Sequence, residues 1–414
     1  MTSKKCDLLI IGGGTGGLVL ALLMAKKGKQ VAILDQKADP MPLPRGEILQ
    51  PNGLKVLDQL GLLHDLLSSD VHVNEKIHFH QAAGAHLCTI DYTRLDTPYA
   101  YSLILLPEVL QRLLLSAVAY APNITTFWGM SFDRLLWEGG RIIGACAGEG
   151  SPRASRFETQ MVVGSDGGQS RVREAFGVPY QTHAYADGYV TMVVDRPPGF
   201  QKDSRYYLGK EMIFGAFPVS RNKIYLFYLV PSKGLEAVRA RGVEWLKREM
   251  CSLHPGIEEM FAGPLQEVTS WQQTAYMRCF RVRCDRWVVH GGALLGDAAH
   301  AMNPHVAQGR NAAMTDAVVL ADVMETCFKE GNFSQEALAS YEHARRAEIR
   351  ILQSLGDEMV LFWNSASPPL VWLRDRVFKK VQDQMYLHDK LLKTVAGLEI
   401  APFHSWDRFR AVAP

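Results

Sequence analysis

Residues 7–35 read DLLIIGGGTGGLVLALLMAKKGKQVAILD, and the fold turns on this stretch. Residues 8–11 are a short apolar run of strand character. Residues 18–27 follow a helical pattern that Gly28 ends, and residues 31–34 form a second apolar run closed by Asp35. Between the first strand and the helix, residues 12–17 contain GxGxxG. Gly12 allows a tight turn, Gly14 lets backbone approach a pyrophosphate, and Gly17 lets helix and strand pack closely. Asp35 falls near the distance expected for gripping a ribose hydroxyl. A lone glycine-rich turn often binds nothing. With strand, helix and acidic residue all present, the unit predicts a bound dinucleotide.

The rest of the chain bounds what that dinucleotide serves. At 414 residues it is long enough for two or three domains and a large core. A net charge of +2 gives no argument for nucleic acid or a membrane surface. Seven scattered cysteines form no CxxC pair and no Cys/His metal-ligand spacing, which predicts a reducing, cytoplasmic setting and no metal. Lys4 and Lys5 before an apolar stretch imitate a signal peptide, but Asp7 and the glycine cluster interrupt that stretch too early. No run is long and apolar enough to predict an integral membrane segment.

Two later stretches extend the argument. Residues 294–316, LLGDAAHAMNPHVAQGRNAAMTD, read as a strand end, an acidic turn, an irregular loop and a helix start. Met314, Ala317, Val318, Ala321 and Phe328 recur at helical spacing, so that helix has a buried face. Its free N–H groups point back at the loop and favour an anionic or electron-rich ring. Asp297, just after the strand, is placed to accept hydrogen bonds from a polyol chain. Residues 162–173, VVGSDGGQSRVR, are a strand running into an acidic glycine turn and a basic helix start.

Taken together the three stretches resemble the single-component FAD-dependent aromatic hydroxylases, a family of flavoprotein monooxygenases. That family's pattern is an N-terminal GxGxxG, a central DG with nearby arginines, and a late GD followed by DAAH, Pro and GxN. Here these are Gly12 to Gly17, Asp166 and Gly167 with Arg171 and Arg173, and Gly296 to His300 with Pro304, Gly309 and Asn311. The helix YEHARRAE at 341–348 is similar to the family's post-core helix. The resemblance implies an α/β fold with a Rossmann-like FAD-binding domain, an inserted β-sheet substrate domain and a C-terminal helical segment. In this chain those are residues 1–75, 103–180 and 286–340, then 76–102 and 181–285, and finally 341–414.

It also implies site residues. Gly12, Gly14 and Gly17, with Thr15 and Gly16, would hold the FAD pyrophosphate, and Asp35 with Gln36 the adenosine end. Arg45 matches a basic residue that contacts FAD near its ribityl and pyrophosphate portion. Asp166 sits in a turn linked to FAD and nicotinamide binding. Asp297 would bind the ribityl chain or pyrophosphate, and Ala307, Gln308, Gly309, Arg310 and Asn311 would lie along the flavin, with backbone donors and an amide near its pyrimidine edge. Leu106 stands where relatives commonly place a Gln or Arg on FAD, and leucine offers only its backbone. Relatives have a glycine at 306 or 307, where this chain has Val306 and Ala307. A β-branched valine resists positive φ, so the loop is expected to depart from its relatives there. Pro304 would border the flavin C4a, and His305 is the one named candidate base, set against a half-exposed loop histidine.

Residues 75–89 predict a strand pair, and 189–194, 205–208, 212–218 and 223–230 further strands with aromatics. A flat sheet over the flavin would suit a planar substrate, with Tyr207, Phe214, Phe217 and Phe227 as candidates for its lining against plain core packing. After Ser334 as N-cap, residues 335–363 predict a helix, 367–369 a break and 370–392 a second, basic amphipathic helix that packs within the chain or forms a homodimer surface.

The activity implied is hydroxylation of an aromatic or quinone-like small molecule with O2, through a flavin C4a-hydroperoxide. NADPH or NADH would visit the flavin as a transient reductant without a Rossmann domain of its own, since no second GxGxxG unit follows. A flavin-dependent halogenase, a reductase of the same superfamily and a non-oxygenating flavin-binding protein stay open as alternatives. No Trp-x-Trp of the halogenase kind occurs.

Overall fold

The computed structural model describes residues 2–41, 46–231 and 234–412. Arg45 lies outside them. The central layer is a six-stranded sheet in the order Val288–Val289, Gly292–Leu294, Met161–Gly164, Leu8–Ile11, Val31–Asp35, Ile124–Trp128. All neighbours run parallel except the Val288–Val289 edge. Leu8–Ile11 and Met161–Gly164 are buried on both faces, which is why they are apolar at every position bar the closing glycine instead of alternating. The helix Thr15–Lys26 packs against the long helix Gly309–Glu330.

A second, seven-stranded sheet runs Thr274–Cys284, Tyr180–Asp195, Lys223–Pro231, Ile213–Pro218, Ser204–Leu208, Lys76–Gln81, His86–Asp91. The strand pair expected over 75–89 is its far edge. The strand Thr274–Cys284 has no counterpart in the sequence reading. Its arginines and cysteines, Arg278, Cys279, Arg281 and Cys284, obscure the alternation. The sheet's two faces bury different clusters. Val190, Tyr207, Phe214 and Leu226 pack under the helices Val243–Cys251 and Pro255–Leu265, while Tyr189, Phe217, Tyr225 and Phe227 face the other way.

The helix predicted from residue 335 spans Gln335–Trp363, with Ser334 Oγ accepting from Ala337 N at 3.3 Å. The second predicted helix is divided. Pro368–Asp383 and Met385–Val395 meet at Gln384, whose extended backbone (φ −108°, ψ 105°) leaves the helical region. A further helix, Ser405–Val412, packs on Pro368–Asp383. Trp372, Met385, Trp406 and Phe409 are exposed on these C-terminal helices. Among the described residues no helix is long and apolar enough to cross a membrane.

One buried charge cluster ties the layers. Asp316, with no solvent exposure, accepts from Arg345 Nε at 2.8 Å and lies 2.6 Å from His300 Nε2. Burial alone would raise the Asp316 carboxyl, but the His300 and Arg345 charges and hydrogen bonds outweigh it and leave its pKa below the ordinary value. The stabilisation is therefore full above the ordinary carboxylate range and is lost as pH falls through the folded value. Arg345→Met nearly keeps the volume and leaves the buried carboxylate with His300 alone of its two charged partners, so it should cost about 3 kcal/mol. A melting temperature unchanged from wild type would refute this account of the cluster.

Candidate functional site

Three strands end side by side, and each end feeds a turn. Backbone bonds Gly12 N to Leu34 O (2.7 Å), Ser165 N to Ile11 O (2.7 Å) and Leu295 N to Gly164 O (2.9 Å) lock those ends in register. In open α/β sheets the crevice beyond such carboxyl ends is where ligands bind. Gly12 adopts φ +114°, and a Cβ there would stand 2.1 Å from Ser165 O; a Cβ at Gly17 would stand 2.2 Å from Gly12 O. Gly14 differs, because a Cβ there would meet nothing within 4 Å. It opens onto a cavity of about 420 Å³. Gly14 is also the N-cap of Thr15–Lys26 and supplies no side-chain cap, so the helix's free N–H groups are left for a ligand.

The cavity runs from Gly14, Thr15 and Gly16 past Ser165, Gly167 and Asp297 to the loop Asn303, Pro304, His305, Ala307 and Gly309. Its far wall is Tyr189, Tyr206, Phe217, Tyr225 and Phe227 from the seven-stranded sheet, closed by Trp363. A cradle for a pyrophosphate, an exposed carboxylate (Asp297) beyond it and an aromatic wall opposite fit an extended dinucleotide with a flat ring at one end.

Comparison with known proteins agrees with that fit. Residues 5–353 match the FAD binding domain family. The chain belongs to this family. It is 29% identical over 356 residues to 6-methylpretetramide 4-monooxygenase of Streptomyces rimosus, covering 84% of this chain and 83% of that protein. It is 24% identical over 373 residues to para-nitrophenol 4-monooxygenase of Pseudomonas sp. strain WBC-3, covering 89% of each. Among solved structures, p-nitrophenol 4-monooxygenase of Pseudomonas putida DLL-E4 superposes with a TM-score of 0.80 at 20% identity, over 97% of this chain and 100% of that one. The family match identifies the cofactor as FAD.

Several residues singled out in the sequence serve the frame of the FAD site. Asp35 Oδ2 accepts from Gly13 N at 2.7 Å and Oδ1 from Lys37 N at 2.8 Å, so the carboxylate braces the glycine turn; Gln36 beside it is exposed. The Asp166 carboxylate accepts from Ser170 Oγ and from Val172 N, and Ser170 caps the helix Arg171–Phe176. Burial raises the Asp166 pKa against those bonds. Its neighbours Ser165 and Gly167, and not Asp166, line the cavity. Arg173 is neither a surface nor a cavity arginine. It is 2% exposed and donates to Ala298 O at 3.0 Å and Gly168 O at 2.9 Å, joining the central turn to the late one.

The loop after Pro304 departs from expectation in one detail. Val306 is buried within a 3-10 turn, Pro304–Val306, and the left-handed residue is Ala307, at φ +52°. The Asn311 amide donates to Ile48 O (3.0 Å) and Ala307 O (2.8 Å) and accepts from Gln50 N (3.0 Å), so its polar atoms are taken up by protein. Gln308, fully buried, donates to Val395 O at 2.6 Å and pairs with Asn52. Arg310 pairs with Glu47 in the cavity wall.

His305 is not half-exposed. It is buried, with Nε2 3.1 Å from Tyr189 Oη and 3.2 Å from Asn364 Oδ1. Asn364 Nδ2 donates to Asp187 at 3.1 Å, which orients the amide so that Oδ1 faces His305 and the imidazole proton sits on Nε2. Burial pushes its pKa down to about 4, against the Asn364 bond.

Of the four aromatics proposed for the substrate lining, Phe217 and Phe227 face the cavity. Tyr207 and Phe214 belong to the opposite face of the sheet, because neighbouring strand residues alternate and Tyr206 takes the cavity side. Leu106 caps the helix Pro107–Tyr120 by backbone only and lies outside the lining. The side chain that reaches the glycine turn from that helix is Gln111, buried, donating to Gly13 O at 2.8 Å and Pro40 O at 3.1 Å. A glutamine on the face shared with Leu110, Leu114 and Val118 was the available signal for it. Trp363, at a helix end distant in sequence, gave none.

Two predictions follow from this geometry. Ala307→Gly relieves a left-handed residue that costs about 1 kcal/mol and should raise the melting temperature; a fall would mean that the alanine methyl contributes more than its backbone costs. Asp297→Ala should lose FAD, read as the flavin-to-protein absorbance ratio after gel filtration, and full occupancy would refute its role.

Proposed function

We propose that the protein is an FAD-dependent monooxygenase that hydroxylates a planar, electron-rich aromatic or quinone-like molecule held between the flavin and the aromatic wall of the seven-stranded sheet. The observation that carries this reading is the wall itself. Tyr189, Tyr206, Phe217, Tyr225 and Phe227 share one cavity with the glycine cradle and Asp297. Relatives named for oxygenation of pretetramide and nitrophenol rings support the substrate class.

Bound FAD, reduced by a nicotinamide, supplies the oxygen-activating chemistry; the chain supplies position, dryness and electrostatics. Gly14 and the uncapped helix behind it would hold the pyrophosphate, and Asp297 the ribityl region. Pro304 and Gly309 would border the ring, with the helix Gly309–Glu330 directing its N-terminal dipole there. Trp363 and the phenyl rings exclude water, which would otherwise divert activated oxygen to peroxide. His305 is neutral in the working range, because a pKa near 4 leaves it unable to store a proton. Its part in this reading is positional: Nε2–H is directed at Asn364 Oδ1, beside the Tyr189 hydroxyl that burial keeps protonated.

The test is NAD(P)H and O2 consumption by the FAD-loaded protein against a panel of mono- and polycyclic phenols, with products weighed for a gain of one oxygen atom. Flavin reduction that yields only hydrogen peroxide across the panel would overturn the hydroxylase reading. In a responsive pair, Phe227→Ala should raise KM about tenfold, the loss of about 1.4 kcal/mol of ring contact. Tyr207→Ala, on the opposite face, should leave KM near wild type.

A further inference from the structure

A second cleft of about 270 Å³ lies on the other side of the short helix Asp297–His300 from the flavin cavity. Asp297 and Ala301 face the cavity, and Ala299 and His300 line the cleft. Much of the remaining wall comes from the end of the strand Thr274–Cys284 and from the helix Gln335–Trp363, and the lining includes Arg283, Arg346 and Arg350 with one carboxylate, Asp285.

The three guanidiniums are not equally engaged. Arg346 is used up, bonded to Glu342 (Nε, 3.0 Å) and to the carbonyls of Cys284 and Asp285 (each 2.9 Å). Arg283 donates Nε to Gln353 at 3.0 Å, and its nearest carboxylate, Asp357 at 3.7 Å, is already held by Arg281. Arg350 has no ion pair or hydrogen bond among the described residues. Burial and the Arg281 charge hold the Arg283 guanidinium below the ordinary arginine range, and Arg350 adds to the repulsion against the partial offset of Asp357. Two guanidiniums thus line one concave space, Arg283 with only a long ion pair to a shared carboxylate and Arg350 with none among the described residues.

We propose that this cleft binds a phosphate-type oxyanion, free or carried on a small metabolite, through Arg283 and Arg350. Forked guanidinium donors match the paired oxygens of such a group, and each can form two parallel hydrogen bonds with it. The glycine cradle of the flavin cavity contributes nothing here, since the two spaces lie on opposite sides of the helix.

The experiment is calorimetric titration of inorganic pyrophosphate into the FAD-saturated full-length protein at low ionic strength, with a second arm using adenosine monophosphate. Saturable one-to-one binding is expected, weakened at least tenfold in both Arg283→Gln and Arg350→Gln and unchanged in Arg221→Gln, an exposed arginine elsewhere. Tighter binding of the nucleotide than of pyrophosphate would assign the site to a carried phosphate, and the reverse to a free one. Flavin occupancy and melting temperature of each variant establish that it is folded. No saturation in wild type, or wild-type affinity in both glutamine variants, would overturn the proposal. So would binding that appears only when FAD has been removed, because the anion would then sit in the dinucleotide turn.

Discussion

A carboxylate with no access to solvent, Asp316, holds together the pieces of chain that frame the flavin cavity. It lies on the helix Gly309–Glu330 and is met by His300 from the short helix Asp297–His300 and by Arg345 from Gln335–Trp363. Four residues cannot make a stable helix on their own. This one is fixed from one side by the Asp316 cluster and from the other by Arg173, which donates to Ala298 O. Asp297 owes its place on the cavity wall to these two buried charged groups, so that wall and the charge cluster form one mechanical unit.

Such an arrangement has a direction. Breaking a buried ion pair by removing one partner costs several kcal/mol, more than most surface contacts contribute together. The strand ends and their turns are therefore held by interactions a ligand need not supply. Gly12, Asp35 and Gln111 brace the first turn, Ser170 and Asp166 the second, and Tyr341 reaches the third through Leu294 O at 3.0 Å. Protein–protein hydrogen bonds alone fix the turns that frame the cavity.

What the sequence disclosed follows from what kind of constraint each residue obeys. Gly12, Gly14 and Gly17 were legible because turn, approach and packing each demand a missing side chain, and local spacing expresses that demand. Asp166, Arg173 and Asn311 were legible as motif members, yet their polar atoms turn out to serve the protein frame. A motif records that a position matters and not which atom it touches. Tyr207 and Phe214 show another limit. Alternation along a strand predicts two faces, but only the sheet's packing decides which face is the cavity. Gln111 left only a polar residue on an apolar helix face, and Trp363 depends on contacts between segments far apart in sequence, which no local pattern reports.

The loop between Asn303 and Gln308 shows how these constraints bear on selectivity. At one end Asn303 donates to Tyr185 Oη at 3.2 Å, accepts from His305 N at 3.1 Å and packs where Gly356 has no side chain. At the other, Gln308 and Asn311 are bonded to the segment around Ile48 and Asn52. Ala307 is held at positive φ between these anchors, a conformation that persists only where its surroundings over-determine it. A loop pinned at both ends has little room to reshape itself around different rings. The opposite wall is aromatic: Tyr206 meets Phe217 and Phe227 edge to face, Phe217 and Phe227 are tilted at 39°, and all three pairs lie within 5.5 Å. That cluster is held by ring-on-ring packing, so the wall facing the pinned loop is itself a packed surface.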